Sequence, residues 1–406
     1  MSSLASSRPN VTISDDMIPA GFRFASAPIG IKASGKPDLT LVVADGRVAA
    51  AGVYTTNLIH AASIDWNRAA PIEQGMRGLV INSGNANACT GVRGEQDNAR
   101  MAALAGASVG DDPQSFFVMS TGVIGHFLPM GKLESGIPSV AKSLSAGAVA
   151  FEAAARGIMT TDQFMKVAFR SLETASGTVR IAAMAKGAGM IGPKMATMLA
   201  VVTTDAALGS AELHRALKVA ADASFNCISV EGHMSTSDAL VCFASGKVTL
   251  TDSEKAAFQE ALTEACIELA KLIPTDGEGA KHLVAIEVAG AASDDDARTI
   301  AEAIANSPLV KTAITGNDPN WGRIVSAAGY AGPAFDPRQV ALELCGQTIF
   351  HDGQPTEFDA AALSQTMSSS AEVSVVLSVG SGPGRARHWT SDLTVDYVTF
   401  NSDYTT

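Results

Sequence analysis

The middle of the chain carries a stretch through which no regular element can run: Lys186-Gly187-Ala188-Gly189-Met190-Ile191-Gly192-Pro193-Lys194-Met195-Ala196-Thr197-Met198-Leu199. Three glycines and a proline interrupt helix and strand alike, since glycine frees the backbone and proline removes a donor. Residues 198–204 (MLAVVTT) are apolar and β-branched and read as a buried strand. Residues 179–185 read as another strand, which delivers Lys186 to its end. Thr197 therefore stands at a seam between a backbone of unusual freedom and a rigid element. Such a seam suits chemistry that needs a strained peptide and a fixed nucleophile. A lysine at a strand end is ordinarily a solvated charge; beside a nucleophile it can bind a substrate carboxylate.

The same residues spell Gly-x-Gly-x-x-Gly at Gly187, Gly189 and Gly192, with Asp205 near the spacing of a ribose-binding acid, roughly 20 residues on. A nucleotide-binding oxidoreductase is therefore one reading. Its context argues against it. A dinucleotide fingerprint opens a helix whose first turn holds the pyrophosphate. Here a strand-like run follows, and no alternating βαβ pattern surrounds it.

With 406 residues the chain has room for two or three domains or one large composite one. The net charge of −12 disfavours nucleic acid and acidic membranes, because the phosphate term would be repulsive. Small-molecule chemistry fits better. Cys89, Cys227, Cys242, Cys266 and Cys345 form no C-x-x-C pair, and no two histidines make an H-E-x-x-H helix. No metal is expected, and the cysteine pattern suits a reducing compartment. Residues 1–16 lack the apolar core of a secretory signal, and no apolar run is long enough to span a membrane. The expected location is the cytoplasm.

In chain order, residues 39–44 and 48–54 read as a strand pair joined by the turn former Asp45-Gly46-Arg47. Residues 78–81 and 116–119 read as strands, and 95–106 as a helix. Residues 82–91 (NSGNANACTG) are rich in turn formers and read as a packed, self-bonded loop or as a catalytic one. Ser120-Thr121-Gly122 ends a strand, where a hydroxyl and an N–H can meet a developing oxyanion; such turns are also common without that role. His126 reads as a loop histidine. Residues 132–156 are mostly helical, interrupted at Gly147, and Met159-Thr160-Thr161-Asp162 can cap an element or meet a polar ligand. Residues 211–223 read as a helix and 226–238 as a small-residue loop. Thr251-Asp252-Ser253-Glu254 is a capping box before a helix with Phe258, Leu262, Ala265, Leu269 and Leu272 on one face. Asp276-Gly277-Glu278-Gly279 reads as an acidic surface turn, and 316–323 as a second turn-rich cluster. Residues 284–288 read as a strand and 297–305 as a helix; 339–350, 372–379 and 393–400 carry alternating strand patterns. Strands often follow strands, so the fold class is mixed α/β of the segregated, α+β-like kind.

The stretch from Lys186 to Leu199 resembles the signature of the ornithine acetyltransferase family, the glutamate N-acetyltransferases of arginine biosynthesis. The resemblance continues in order through Gly21-Phe22, Gly30-Ile31-Lys32, Thr55-Thr56-Asn57, 82–91, 120–125 and Thr160-Thr161-Asp162. It resumes at 276–280, 318–323, Trp389, Asp392, Tyr397, Asn401 and Tyr404-Thr405-Thr406. It implies stacked helix and sheet layers with a smaller second domain. It also implies a precursor that cuts itself between Ala196 and Thr197 into chains 1–196 and 197–406, two of each forming a heterotetramer. The freed α-amine of Thr197, with a reference pKa of about 7.7–8.0, would then serve as base to its own hydroxyl.

The activity implied is ping-pong acetyl transfer from N-acetylornithine to glutamate through acetyl-Thr197, with Thr121 and Gly122 as the oxyanion site. Substrate contacts carried over are Thr160, Lys186, Thr197, Glu278, Asn401 and Thr406. Lys186 would take an α-carboxylate, and Glu278 an amine or cationic tail. No cofactor is implied; acetyl-CoA is a further donor that the sequence leaves open. An N-terminal-Thr amidase or aminopeptidase is the alternative, with water accepting the acyl group. The sequence departs from the family pattern at His233, where relatives tend to carry Asp, and at Lys281-His282 in place of Thr-Lys. Lys281 could compete for Glu278.

Overall fold

The structure, a computed structural model, describes residues 11–192 and 198–403. Ala196, Thr197 and Thr406 lie outside the described residues. The strands are β1 (Phe22–Ala27), β2 (Leu39–Tyr54), β3 (Met76–Asn85), β4 (Phe116–Val123) and β5 (Lys166–Thr174). Next come β6 (Gly177–Lys186), β7 (Leu199–Ala207), β8 (Ile228–Ser229), β9 (Ala239–Thr249) and β10 (Leu283–Ala291). The last are β11 (Ala341–Leu344), β12 (Gln347–His351), β13 (Gln354–Pro355), β14 (Glu372–Ser378) and β15 (Gly384–Ser391). The helices are α1 (Ala62–Arg68), α2 (Gly91–Val109), α3 (Met130–Ala141), α4 (Ala148–Gly157), α5 (Ser210–Asp222) and α6 (Asp252–Thr275). They continue with α7 (Asp294–Ala305), α8 (Pro308–Thr315), α9 (Trp321–Gly329), α10 (Ala360–Ser369) and α11 (Val395–Asp403).

Among the described residues these strands form two sheets. The larger runs β4-β3-β2-β9-β7-β6-β5, with β1 beside the first part of β2; the smaller runs β13-β12-β11-β14-β10-β15-β8. β2 belongs to both halves of the larger sheet. Its first residues pair with β3, and residues 49–54 pair with β9, with a register shift between Val43 and Val48. The expected hairpin at Asp45-Gly46-Arg47 is therefore corrected. Those three residues are an exposed bend within one 16-residue strand, continuous because each half finds a different partner.

The sheet doubles over at this bend. Phe117 on β4 and Phe243 on β9 have ring centroids 5.7 Å apart. Three strand steps of about 4.8 Å would separate β4 and β9 in a flat sheet. Side chains alternate between faces. Val42, Leu79, Met119, Met184, Val201 and Phe243 meet between the sheet halves. Val80, Phe116 and Val118 face outward beneath α2 and α3; Ala183, Ala200 and Cys242 face outward beneath α5 and α6. The result is helix, sheet, sheet, helix. The smaller sheet packs Val284, Ile286 and Val375 against Ile300 and Ile304 of α7, Ile324 of α9 and Leu363 of α10. Mixed α/β layering with a smaller second unit is thus observed.

Several local expectations hold. Thr251 caps α6 in a capping box with Glu254, and Phe258, Leu262, Ala265 and Leu269 are buried. Leu272 is only half-buried, because Ile273 takes the inward position. Others are corrected. Residues 393–400 are not a strand: α11 begins at Val395, and Thr394 Oγ1 accepts from Tyr397 N at 3.2 Å. Residues 339–350 divide into β11 and β12, which pair antiparallel. The cluster at 316–323 is the cap of α9, where Asn320 accepts from Arg323 N. No helix among the described residues is long and apolar enough to cross a membrane.

Candidate active site

β4 and β6 bring their C-terminal ends to one cavity of about 270 Å³, near the lower end of small-molecule sites and of a size for an amino acid. Thr121, Gly122, Thr160, Lys186, Glu278 and Asn401, all named from the sequence, line it. Glu231, His233 and Tyr397, which were given no ligand role, line it too.

Gly122 has φ +131°, and a Cβ there would lie 2.3 Å from Gly84 C and 2.5 Å from Asn85 N. Only glycine fits, because β3 and β4 run parallel and close at this point. Thr121 is buried, and its Oγ1 accepts from Lys186 Nζ at 3.3 Å. Because the lysine uses its acceptor side, the Thr121 hydroxyl keeps its proton for a ligand. Lys186 is only 3% exposed, so of the two readings open to a strand-end lysine it is not the solvated charge. Burial pushes its ammonium below the usual lysine value, opposed by the charges of Asp162, Asp238 and Glu278.

Behind these residues lies a buried ionic cluster. Lys166 Nζ donates to Asp162 Oδ1 at 2.7 Å and to Asp276 Oδ2 at 2.6 Å, and all three side chains are essentially inaccessible. Asp276 therefore does not sit in an acidic surface turn. Asp162 also accepts from Thr160 N at 2.8 Å and Gly187 N at 2.7 Å, which fixes the backbone beside two cavity residues. Burial would raise the Asp162 carboxyl, but Lys166, Lys186 and the Gly187 N–H outweigh it and hold it well below the usual carboxylate range. Lys32 supports the same wall from outside, donating to Met159 O at 2.7 Å and Pro37 O at 2.6 Å.

Glu278 is held by its backbone and its side chain. Its N–H donates to Ala188 O at 3.0 Å, and its Oε2 accepts from Asn401 Nδ2 at 3.0 Å. Gly189 presses against it, since a Cβ there would lie 2.5 Å from the carboxyl. Lys281 is exposed and makes no ion pair with Glu278 among the described residues, while His282 is buried with Nδ1 3.3 Å from Asp392 Oδ2. Met198 N donates to Asp238 Oδ1 at 3.0 Å, so β7 is entered from a fixed amide. The 82–91 segment bonds mostly to itself and its neighbours: Asn82 Nδ2 to Asn85 O, Ser120 Oγ to Asn82 Oδ1, and Thr90 Oγ1 to Asn87 Oδ1. None of its residues lines the cavity.

Sequence reasoning missed Glu231 and left Asp162 without a definite partner. Glu231 carried a weak signal as an acid in the middle of a loop of small residues. Lys166 carried none, because a lysine opening a strand usually faces water.

A family model described as the ArgJ family matches residues 23–406. The arginine biosynthesis bifunctional protein ArgJ of Rhodopirellula baltica is 49% identical over 396 residues, covering 96% of this chain and 97% of that protein. Its counterpart in Symbiobacterium thermophilum is 45% identical over 397 residues, covering 96% and 98%. The crystal structure of arginine biosynthesis bifunctional protein argJ from Bacillus halodurans shares 39% identity, spans 50% of this chain and 98% of that one, and superposes with a TM-score of 0.49. With a family model matched from residue 23 to residue 406 and near-half identity along the whole chain, this protein belongs to the ArgJ family.

Proposed function

We propose that this protein is a self-cleaving acetyltransferase of arginine biosynthesis that moves acetyl from N-acetylornithine to glutamate. In the precursor, Thr197 Oγ adds to the Ala196 carbonyl and displaces its own amide nitrogen, giving an ester. Water then cleaves that ester, leaving a carboxylate on Ala196 and a free α-amine on Thr197. The amine takes the hydroxyl proton as Oγ attacks the acetyl carbonyl of N-acetylornithine. The oxyanion accepts hydrogen bonds from the Thr121 hydroxyl and Gly122 N–H. The tetrahedral adduct collapses, the proton passes to the departing nitrogen, and ornithine leaves. The amine of glutamate then attacks acetyl-Thr197 and carries the acetyl away as N-acetylglutamate.

Lys186 takes the substrate carboxylate, Glu278 its amine or cationic tail, and Thr160, Asn401 and Thr406 complete the pocket. The supporting observation is the meeting of Thr121, Gly122, Lys186 and Glu278 on one cavity reached by the strand leading into the 193–197 segment. Acetyl-CoA is proposed as a second donor, in keeping with relatives named bifunctional. Two copies of each fragment assemble as a heterotetramer in the cytoplasm, a reducing setting that suits five free cysteines.

The test combines mass spectrometry with an acetyl-transfer assay. Fragments ending at Ala196 and beginning at Thr197, with N-acetylglutamate formed from N-acetylornithine and glutamate, are expected; Thr197→Val should abolish both. An uncut active chain would overturn the mechanism. Acetyl release to water alone would make the protein an amidase.

A further inference from the structure

Glu231 lines the cavity without a part in the mechanism above. The 226–238 loop that carries it grips Ile191 from both sides. Ile191 N donates to Glu231 Oε1 at 2.5 Å, while Val230 N and Gly232 N donate to Ile191 O at 2.9 and 3.0 Å. One carboxyl oxygen is thereby fixed. The other, Oε2, is shielded from solvent and has no hydrogen-bond partner among the described residues. An ionised oxygen so placed is costly, since a buried unsatisfied group loses about 1–3 kcal/mol and a charged one more. A proton on the carboxyl, or a cation brought by a ligand, relieves that cost.

Glu278 just after α6, Lys311 on α8 and Tyr397 on α11 act on this carboxyl electrostatically, and Lys186 at the end of β6 and His233 of the same loop line the same cavity. Lys311 offers limited compensation: its ammonium is spent on Val230 O, Thr390 Oγ1 and Ser391 O. Burial, reinforced by Glu278 and opposed by the Ile191 N–H and Lys311, pushes the Glu231 carboxyl up to about 7.

The acetyl-transfer reading, on which this inference rests, asks one cavity to hold two ligands in turn that differ by two charges. Ornithine carries net +1 and glutamate net −1 near neutral pH. A rigid set of fixed charges cannot favour both. We propose that Glu231 is the specificity-determining residue that adapts the cavity's charge: ionised when the ornithine-type ligand brings an ammonium, protonated and neutral when glutamate brings its second carboxylate. The proton comes from solvent as glutamate binds and returns to it as ornithine binds, so the exchange balances over a cycle.

Titration calorimetry at pH 7 in two buffers of different ionisation enthalpy reads this exchange. Ornithine should release, and glutamate take up, a fraction of a proton each, as expected for a carboxyl that titrates near that pH. Raising the pH from 6 to 8 should lower KM for N-acetylornithine and raise KM for glutamate, each by up to about tenfold. Glu231→Gln, fixed in the neutral form, should lose the opposed proton signals and weaken ornithine far more than glutamate; Glu231→Asp should restore their signs. Difference infrared spectra of the unaltered protein, with a protonated-carboxyl band gained with glutamate and lost with ornithine, give a measurement that needs no variant. Proton exchange of the same sign for both ligands, or wild-type exchange in Glu231→Gln, would overturn the proposal while leaving acetyl transfer intact. A failure to form N-acetylglutamate would instead strike the reading beneath it.

Discussion

Lys186 and Gly122 illustrate two ways in which a single residue constrains the site. Lys186 is buried, lines the cavity and donates to Thr121, so it sets the orientation of the hydroxyl beside it. Lys186→Ala should raise KM for both substrates by about tenfold to a hundredfold, the worth of a charged hydrogen bond of about 1.5–3 kcal/mol; steady-state kinetics checks it. Gly122→Ala forces a Cβ into the β3 backbone at a positive φ and would shift the N–H proposed for the oxyanion. kcat should fall by about 100–1,000-fold, with little change in the calorimetric affinity for ornithine. Thr121, Gly122, Thr160, Lys186, Glu278 and Asn401 could be named from the sequence because the family resemblance carried each of them over. Glu231 could not, because its importance comes from what its second oxygen lacks.

Among elements, the start of β5 matters most to the site. Lys166 opens it, with its ammonium between Asp162 and Asp276. Lys166→Met leaves two buried carboxylates without their cation and should cost about 3–5 kcal/mol, read as a drop in the denaturant midpoint. The pH response follows from the depressed Asp162 carboxyl. Its contribution is fully present above the unfolded carboxylate value of about 3.9 and is lost as pH falls through the lower folded value. In Lys166→Met, acid unfolding should therefore begin at higher pH. The sequence made α6 legible through its cap and apolar face, and misled at β2 and α11. Asp45-Gly46-Arg47 has turn chemistry, but whether a chain turns back or bends onward depends on which strands are free to pair. Residues 393–400 alternate like a strand, yet eight residues cannot decide between periods. The deciding cue was Thr394, which caps the helix.

Across the whole molecule, the larger sheet is built from segments on both sides of residues 193–197. β9 and β7 lie at its centre, with β4, β3 and β2 on one flank and β6 and β5 on the other. Cleavage between Ala196 and Thr197 should leave one folded body: a single species by native size-exclusion chromatography, and two bands only after denaturation. The mixed class was legible in the sequence, since strands often follow strands, and the layering was implied by the family resemblance. The insertion of later strands between earlier ones was not, because strand order depends on distant partners.

This interleaving bears on manufacture. Without β9 and β7, β2 and β6 would each present a long unpaired margin, the kind of border that recruits foreign strands. If the proposed cleavage occurs, synthesis as one polypeptide would deliver the complementary pieces in equal number and already side by side, so neither would accumulate as an orphan.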